Sequence, residues 1–294
     1  MLHRSLFPHQ TVVIGGISAW YIFNKRHPGF FSKSLKIVLA IAIAVAPLQI
    51  AIGHVSAEQV YHNQPSKLAA IESRWESVDA GESASWSILA LPSKEAEKNT
   101  FELNVPHGLG YILEFKDKLS EPFLGLKEWK PEDRPPMIGL IFYSFRIMSG
   151  IGFFFVGLML FSVIQWLRGK LSAENITQQP LLMLGWIFAA PLGYIAVEAG
   201  WIVREVGRQP WTVYGLIRTS DAASHLPASN VVGSLTAFAV VYTILFICAL
   251  YFASRIIRSG PNFDLPVPRV KKPEDLDSKP AEFVPNQRPV EAQQ

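Results

Sequence analysis

Residues 181–221 read LLMLGWIFAAPLGYIAVEAGWIVREVGRQPWTVYGLIRTSD, and this stretch decides the fold. Its first part, Leu181–Val203, is an apolar run of about 20 residues, enough to cross ~30 Å of hydrocarbon as a helix. Its second part carries Glu198, Glu205, Arg204, Arg208 and Arg218. An ionisable group at membrane depth costs roughly 2.5–3.5 kcal/mol on insertion scales, so a chain that keeps one there is using it.

The rest of the chain repeats the pattern. Of 294 residues, 49% are hydrophobic and only 17% charged, and the apolar residues come in blocks. Leu35–Gly53 and Val231–Ala253 are also of spanning length, Met137–Leu167 exceeds it, and Thr11–Phe23 falls short. These blocks predict an all-α integral membrane protein of about five transmembrane helices with a folded extracytoplasmic loop. Two helices occupy 1–53, the loop 54–136, three helices 137–259, and a proline-rich tail predicted to be disordered 260–294. Lys25, Arg26, Lys33 and Lys36, then Arg168 and Lys170, then Arg255 and Arg258 fall on one side if the helices alternate. That side is cytoplasmic by the positive-inside rule, so the loop 54–136 is outside. Arg204, Arg208 and Arg218 then lie outside, against the bias, where they suit an anionic partner. Within the loop, helix formers surround Lys67–Glu72, and Trp86–Leu91 and Thr100–Val105 read as strands.

The single cysteine, Cys248, allows no intrachain disulfide. Phosphate-binding loops, dinucleotide fingerprints and zinc spacings are not found, and no nucleic-acid partner is expected. Glu198, Trp201 and Glu205, at i, i+3 and i+7, line one helix face with the carboxylates ~10 Å apart. Read alone, Glu205 pairs equally well with Arg204 or Arg208, and a transporter would use the same two acids as a proton relay. Met148 is a soft thioether in an apolar helix, and most such methionines simply pack. Arg146, two residues earlier, projects about 200° away from it on a straight helix, so the two do not face the same object.

Three strings resemble one family. Gly207-Arg208-Gln209-Pro210-Trp211, Phe145-Arg146-Ile147-Met148 and the segment Gln64–Glu72 are similar to signatures of cytochrome bd quinol oxidase subunit I, in its short-loop branch. The resemblance runs from about Gly16 to Arg258. It implies a terminal oxidase of the bacterial plasma membrane that oxidises quinol and passes electrons through haem to reduce oxygen to water. Lys67 and Glu72 would act on quinol, and Glu198 and Glu205 would serve the catalytic face. Met148 would ligate a low-spin haem b, and Arg146, Trp201, Arg208 and Trp211 would line cofactor. A high-spin haem b and a haem d or b would belong to the complete enzyme. The histidine opposite Met148 would fall near position 1, with His3 and His9 close by but out of register. Membrane lipid, quinol, an oxidase subunit II and further N-terminal helices of subunit I are the implied partners. The resemblance covers only the later helices of such a subunit, so the expected reading is its C-terminal portion. A non-catalytic membrane remnant is the alternative.

Overall fold

The computed structural model describes residues 2–224 and 226–261. The predicted tail, residues 262–294, and His225 lie outside the described residues, as do the side chains of His3 and His9. Contacts divide the chain after Leu226 into two units.

In the first unit, α1 (Leu2–Phe23), α2 (Pro28–Asn63), α5 (Ile138–Leu167) and α6 (Pro180–Gly207) form a bundle. Pro28 and Pro180 open their helices at the first turn, where a missing N–H leaves no carbonyl unpaired. Helix α1 approaches α6 through glycines. A Cβ at Gly15 would lie 2.5 Å from Trp186 Cε3, and one at Gly16 2.7 Å from Ala190 Cβ. Small residues at such crossings let backbones touch, which is how helices associate where lipid removes the hydrophobic drive. Trp186 then donates its indole N–H to Ser162 Oγ at 3.0 Å, joining α6 to α5. On the other side, Ser32 Oγ donates to the Leu171 carbonyl at 2.6 Å and ties α2 to the turn between α5 and α6.

Among the described residues, four helices are long and apolar enough to cross a membrane: α2, α5, α6 and α8 (Ala228–Ser259). The described apolar part of α1 is Gln10–Phe23, so four of the five expected spans are found among the described residues. Helix α8 makes up the described part of the second unit together with its flanking residues.

Between α2 and α5 the chain is folded throughout. Helix α3 (Pro65–Ile71) leads into a hairpin of β1 (Trp86–Ser93) and β2 (Lys98–Val105), then α4 (Gly108–Glu114). Trp75, Leu109, Leu113, Phe123 and Leu126 share one core with Leu68 and Ile71 of α3, Ile138 and Ile141 of α5, and Val203 of α6. Each such side chain contributes roughly 1.5–3 kcal/mol on burial, so the loop is locked to the helix ends rather than tethered. An antiparallel bridge between Val78 and Phe123 and the Tyr61 hydroxyl donating to the Glu121 carbonyl at 2.8 Å close it. After α6, Trp211–Val213 (β3) pairs with Ile217–Arg218 (β4), followed by a turn of helix, α7 (Thr219–Ala222).

Candidate functional site

Helix α3 is seven residues long and lies wedged between α5 and α6, with Ser66 to Ile71 all buried. Lys67 and Glu72 stand five positions apart, about 140° around the helix, and the structure sends them to opposite neighbours.

Lys67 turns to α6. Its stem lies flat on Gly207, where a Cβ would come within 3.2 Å of Lys67 Cγ and 3.3 Å of Cε, so a larger residue there would make the lysine shift. Lys67 lines a cavity of ≈ 200 Å³ with Gln64, Arg204, Arg208, Trp211, Thr212 and Tyr214. Glu205 is the acid of this group, 3.0 Å from Arg208 Nε and 3.6 Å from Arg204 Nε. Arg204 also lies over the Trp201 ring, and Arg218 over Trp211. Burial holds the Lys67 ammonium below the usual lysine range; Arg204 and Arg208 push the same way and Glu205 opposes them. Three cations around one carboxylate leave an excess of positive charge facing a small opening, the electrostatics of an anion site.

Glu72 turns to α5. Its Oε2 accepts from Arg146 Nη2 at 2.6 Å, and both side chains are almost wholly buried. Arg146 Nε donates to the Ser87 carbonyl of β1 at 2.9 Å, and its guanidinium lies over the rings of Phe142 and Trp86. Burial pushes the Glu72 carboxyl above the ordinary glutamate range, against the pull of Arg146 and, more weakly, Arg74. Three buried donors around it, Arg74 Nε, Trp86 Nε1 and Arg146 Nη1, have no protein acceptor. The pair therefore sits in a donor-rich, dry environment.

Met148, two residues beyond Arg146, points elsewhere, as the 200° offset requires. A Cβ at Gly200 of α6 would lie 3.2 Å from its sulfur, so Met148 lines the crossing of α5 and α6. Beside Gly200, Trp201 is 44% exposed and Glu198 is exposed on the same outer face of α6. Among the described residues no group of three His, Cys, Asp or Glu would hold a metal ion. Of the described histidines, His54 contacts Phe115, His62 pairs with Glu121, and His107 with Asp117. Donor chemistry nonetheless suits a haem group: a soft sulfur beside a small residue, an open aromatic and acidic face, and cations at one end for carboxylates. Sequence reasoning missed Arg74, Trp86 and Ser87 as parts of the site, because their places in it come from long-range contact and carry no local signal.

The bundle and its folded loop define a multi-pass helical protein with helices of membrane-spanning length. The structure superposes on bd oxidase from Geobacillus thermodenitrificans with a TM-score of 0.73 at 25% identity, covering 88% of this chain and 56% of that one. Residues 5–261 match the model of cytochrome bd terminal oxidase subunit I, and the chain belongs to that family. It is 33% identical over 261 residues to cytochrome bd ubiquinol oxidase subunit 1 of Bacillus subtilis (strain 168), covering 85% of this chain and 54% of that protein. Against cytochrome bd-II ubiquinol oxidase subunit 1 of Escherichia coli (strain K12) it is 28% identical, covering 86% and 60%. The chain thus spans a little over half the length of the curated relatives it matches. Its family and its apolar helices make it a multi-pass protein of the bacterial plasma membrane.

Proposed function

We propose that this chain supplies the quinol-oxidising and electron-carrying portion of a cytochrome bd-type terminal oxidase, which reduces oxygen to water. One observation carries the reading: the buried Glu72–Arg146 pair joins the outer loop to the helix that holds Met148. A quinol gives up two electrons and two protons on oxidation, so its site needs a proton acceptor close to an electron acceptor. Glu72 is the proton acceptor. Its raised pKa brings it nearer to neutral pH, and Arg146 holds its Oε2, leaving Oε1 to take a proton from a ring hydroxyl. The proton leaves on the outer side, where the loop lies.

Met148 would ligate a low-spin haem b, with Trp201, Arg208 and Trp211 alongside; Lys67, expected at the quinol with Glu72, faces Arg204 and Arg208 instead and would bind the haem carboxylates with them. Bound there, that group supplies one-electron chemistry. Glu198 and Glu205, on the face of α6 turned away from the bundle, are proposed to handle protons for the oxygen-reducing side. Further subunit I helices and an oxidase subunit II would complete that side, with a high-spin haem b and a haem d or b.

A reduced-minus-oxidised absorption spectrum of the protein purified from its membranes tests this. We expect a low-spin haem b band that is lost in Met148→Leu. Protein that folds and inserts without any haem band overturns the proposal.

A further inference from the structure

Helix α4 of the outer loop is apolar on two opposite faces. Leu109 and Leu113 point into the loop core and are buried. Tyr111, Ile112 and Phe115, within about 100° of arc on the other side, are 55%, 40% and 72% exposed. The helix has no freedom to roll and hide them. A Cβ at Gly108 would come within 2.8 Å of Trp86 Cβ, and one at Gly110 within 2.5 Å of the Lys116 carbonyl oxygen. Its C-terminus is closed by the Phe115 N–H donating to the Gly110 carbonyl, with Phe115 in the left-handed region at φ 55°. The backbone thus holds a large aromatic ring outward.

Two contacts fix the level of α4 along the bundle. The Phe115 ring sits 4.4 Å from His54 of α2, directly after the apolar block Leu35–Gly53. Its neighbour β1 is held to α5 at Arg146, through Ser87, and at Tyr143, through Ala90. From Met148 to Leu167, α5 has the ~20 residues that fill the hydrocarbon. Both helices therefore place α4 at the outer edge of the apolar slab. On α2, Ile50, Ile52 and Val55 around His54 are 61%, 37% and 51% exposed, so the lipid-facing surface runs on toward Phe115. The exposed Lys116 and Lys118 follow, with stems long enough to reach headgroup phosphates.

We propose that α4 is a monotopic contact with the outer leaflet, seating Tyr111, Ile112 and Phe115 at the boundary between headgroups and acyl chains. The occupant is lipid because the patch continues the spanning helices' own lipid-facing surface at the height where that surface ends. This holds whatever the loop binds. It places the loop on the membrane surface, from which an apolar substrate enters.

Nitroxide labels decide it. Tyr111→Cys, Ile112→Cys, Phe115→Cys and, at the hairpin tip, Lys94→Cys are made singly in Cys248→Ser protein, isolated from membranes with its partners and placed in nanodiscs. Positions 111, 112 and 115 should collide freely with oxygen and several-fold less with a water-soluble nickel chelate than position 94. Free access of the chelate to all three would overturn the proposal. Poor access for both oxygen and chelate would overturn it equally, by showing that protein covers the patch. Each position reports separately, so the loss of one variant to misfolding leaves two that decide.

Discussion

The two sides of α3 handle charge in opposite ways. Toward α6, Lys67 joins Arg204 and Arg208, whose side chains are 55% and 43% exposed, around a cavity with one acid. Toward α5, Glu72 and Arg146 pair one to one, with side chains 6% and 10% exposed. Arg204 and Arg208, held half in water, repel weakly and tolerate an excess because solvent and salt screen them, whereas Lys67 beside them is 9% exposed and its pKa is lowered by that burial. A charge removed from water must be matched, because its hydration is lost. The first, wet side carries an excess of positive charge beside a cavity; the second, dry side is an internal pair matched one to one.

Breaking the dry pair has the largest expected effect. Arg146→Leu leaves Glu72 buried without its cation, a change that costs about 3–5 kcal/mol in comparable pairs. Thermal unfolding in detergent should show it. The sign with pH is fixed: a buried carboxylate is costly only when ionised, so the loss shrinks as pH falls and Glu72 takes up a proton. Adding Glu72→Gln should recover most of the stability. An Arg146→Leu protein as stable as the parent would remove the contrast between the two sides.

Next comes the chemistry assigned to the dry side. Glu72→Gln keeps an oxygen for Arg146 but loses the basic site, and general-base contributions are typically 10²–10⁴-fold. Quinol oxidation, followed as oxygen consumption, should fall by about 10²-fold with the haem spectrum retained. In the parent the rate should rise with pH through a pKa above the ordinary glutamate value, because the acceptor must be ionised; this limb should vanish in Glu72→Gln.

On the wet side, Gly207→Ala puts a methyl 3.2–3.3 Å from the Lys67 stem. The lysine is flexible enough to yield, so the cost should be about 1 kcal/mol, at the low end for overpacking. A melting temperature lowered as far as in Arg146→Leu would mean that Lys67 is clamped rather than draped.

Much of this arrangement is legible before any coordinates. Apolar blocks locate the spanning helices because lipid demands continuous runs, but they miss helix beyond the run: α2 continues to Asn63, well past Gly53, through polar residues such as Glu58, Gln59 and His62. The strands expected at Trp86–Leu91 and Thr100–Val105 each extend by two residues, to Trp86–Ser93 and Lys98–Val105, since hairpin pairing outranks local propensity. Helical arithmetic already separates Lys67 from Glu72 and Arg146 from Met148. It does not tell where each one goes. Arg146 finds its acid 74 positions away and its carbonyl 59 away, contacts set by loop folding and invisible in any local pattern. The roles attached to Met148 and Trp211 rest on family strings and those of Glu198 and Trp201 on helix spacing and the wider resemblance; the geometry adds their places, not their duties.

The smallest effect expected is also the one that best probes the wet side. Lys67 is a cation depressed by burial and by two arginines, so its charge fades as pH rises toward a value below that of ordinary lysine. An anion bound in the cavity should then bind more weakly as pH rises. Lys67→Arg, whose guanidinium stays charged throughout, should move that limb beyond the accessible range. Lys67→Gln should weaken the anion by only a few-fold, about 1 kcal/mol or less, because Arg204 and Arg208 remain and the site is half open. That modest loss should shrink further as salt is raised, since a solvated site is screened and a dry one is not. Titrating the protein with an anionic probe at two ionic strengths separates the cases. A loss from Lys67→Gln that is large and insensitive to salt would place Lys67 in the same dry regime as Glu72.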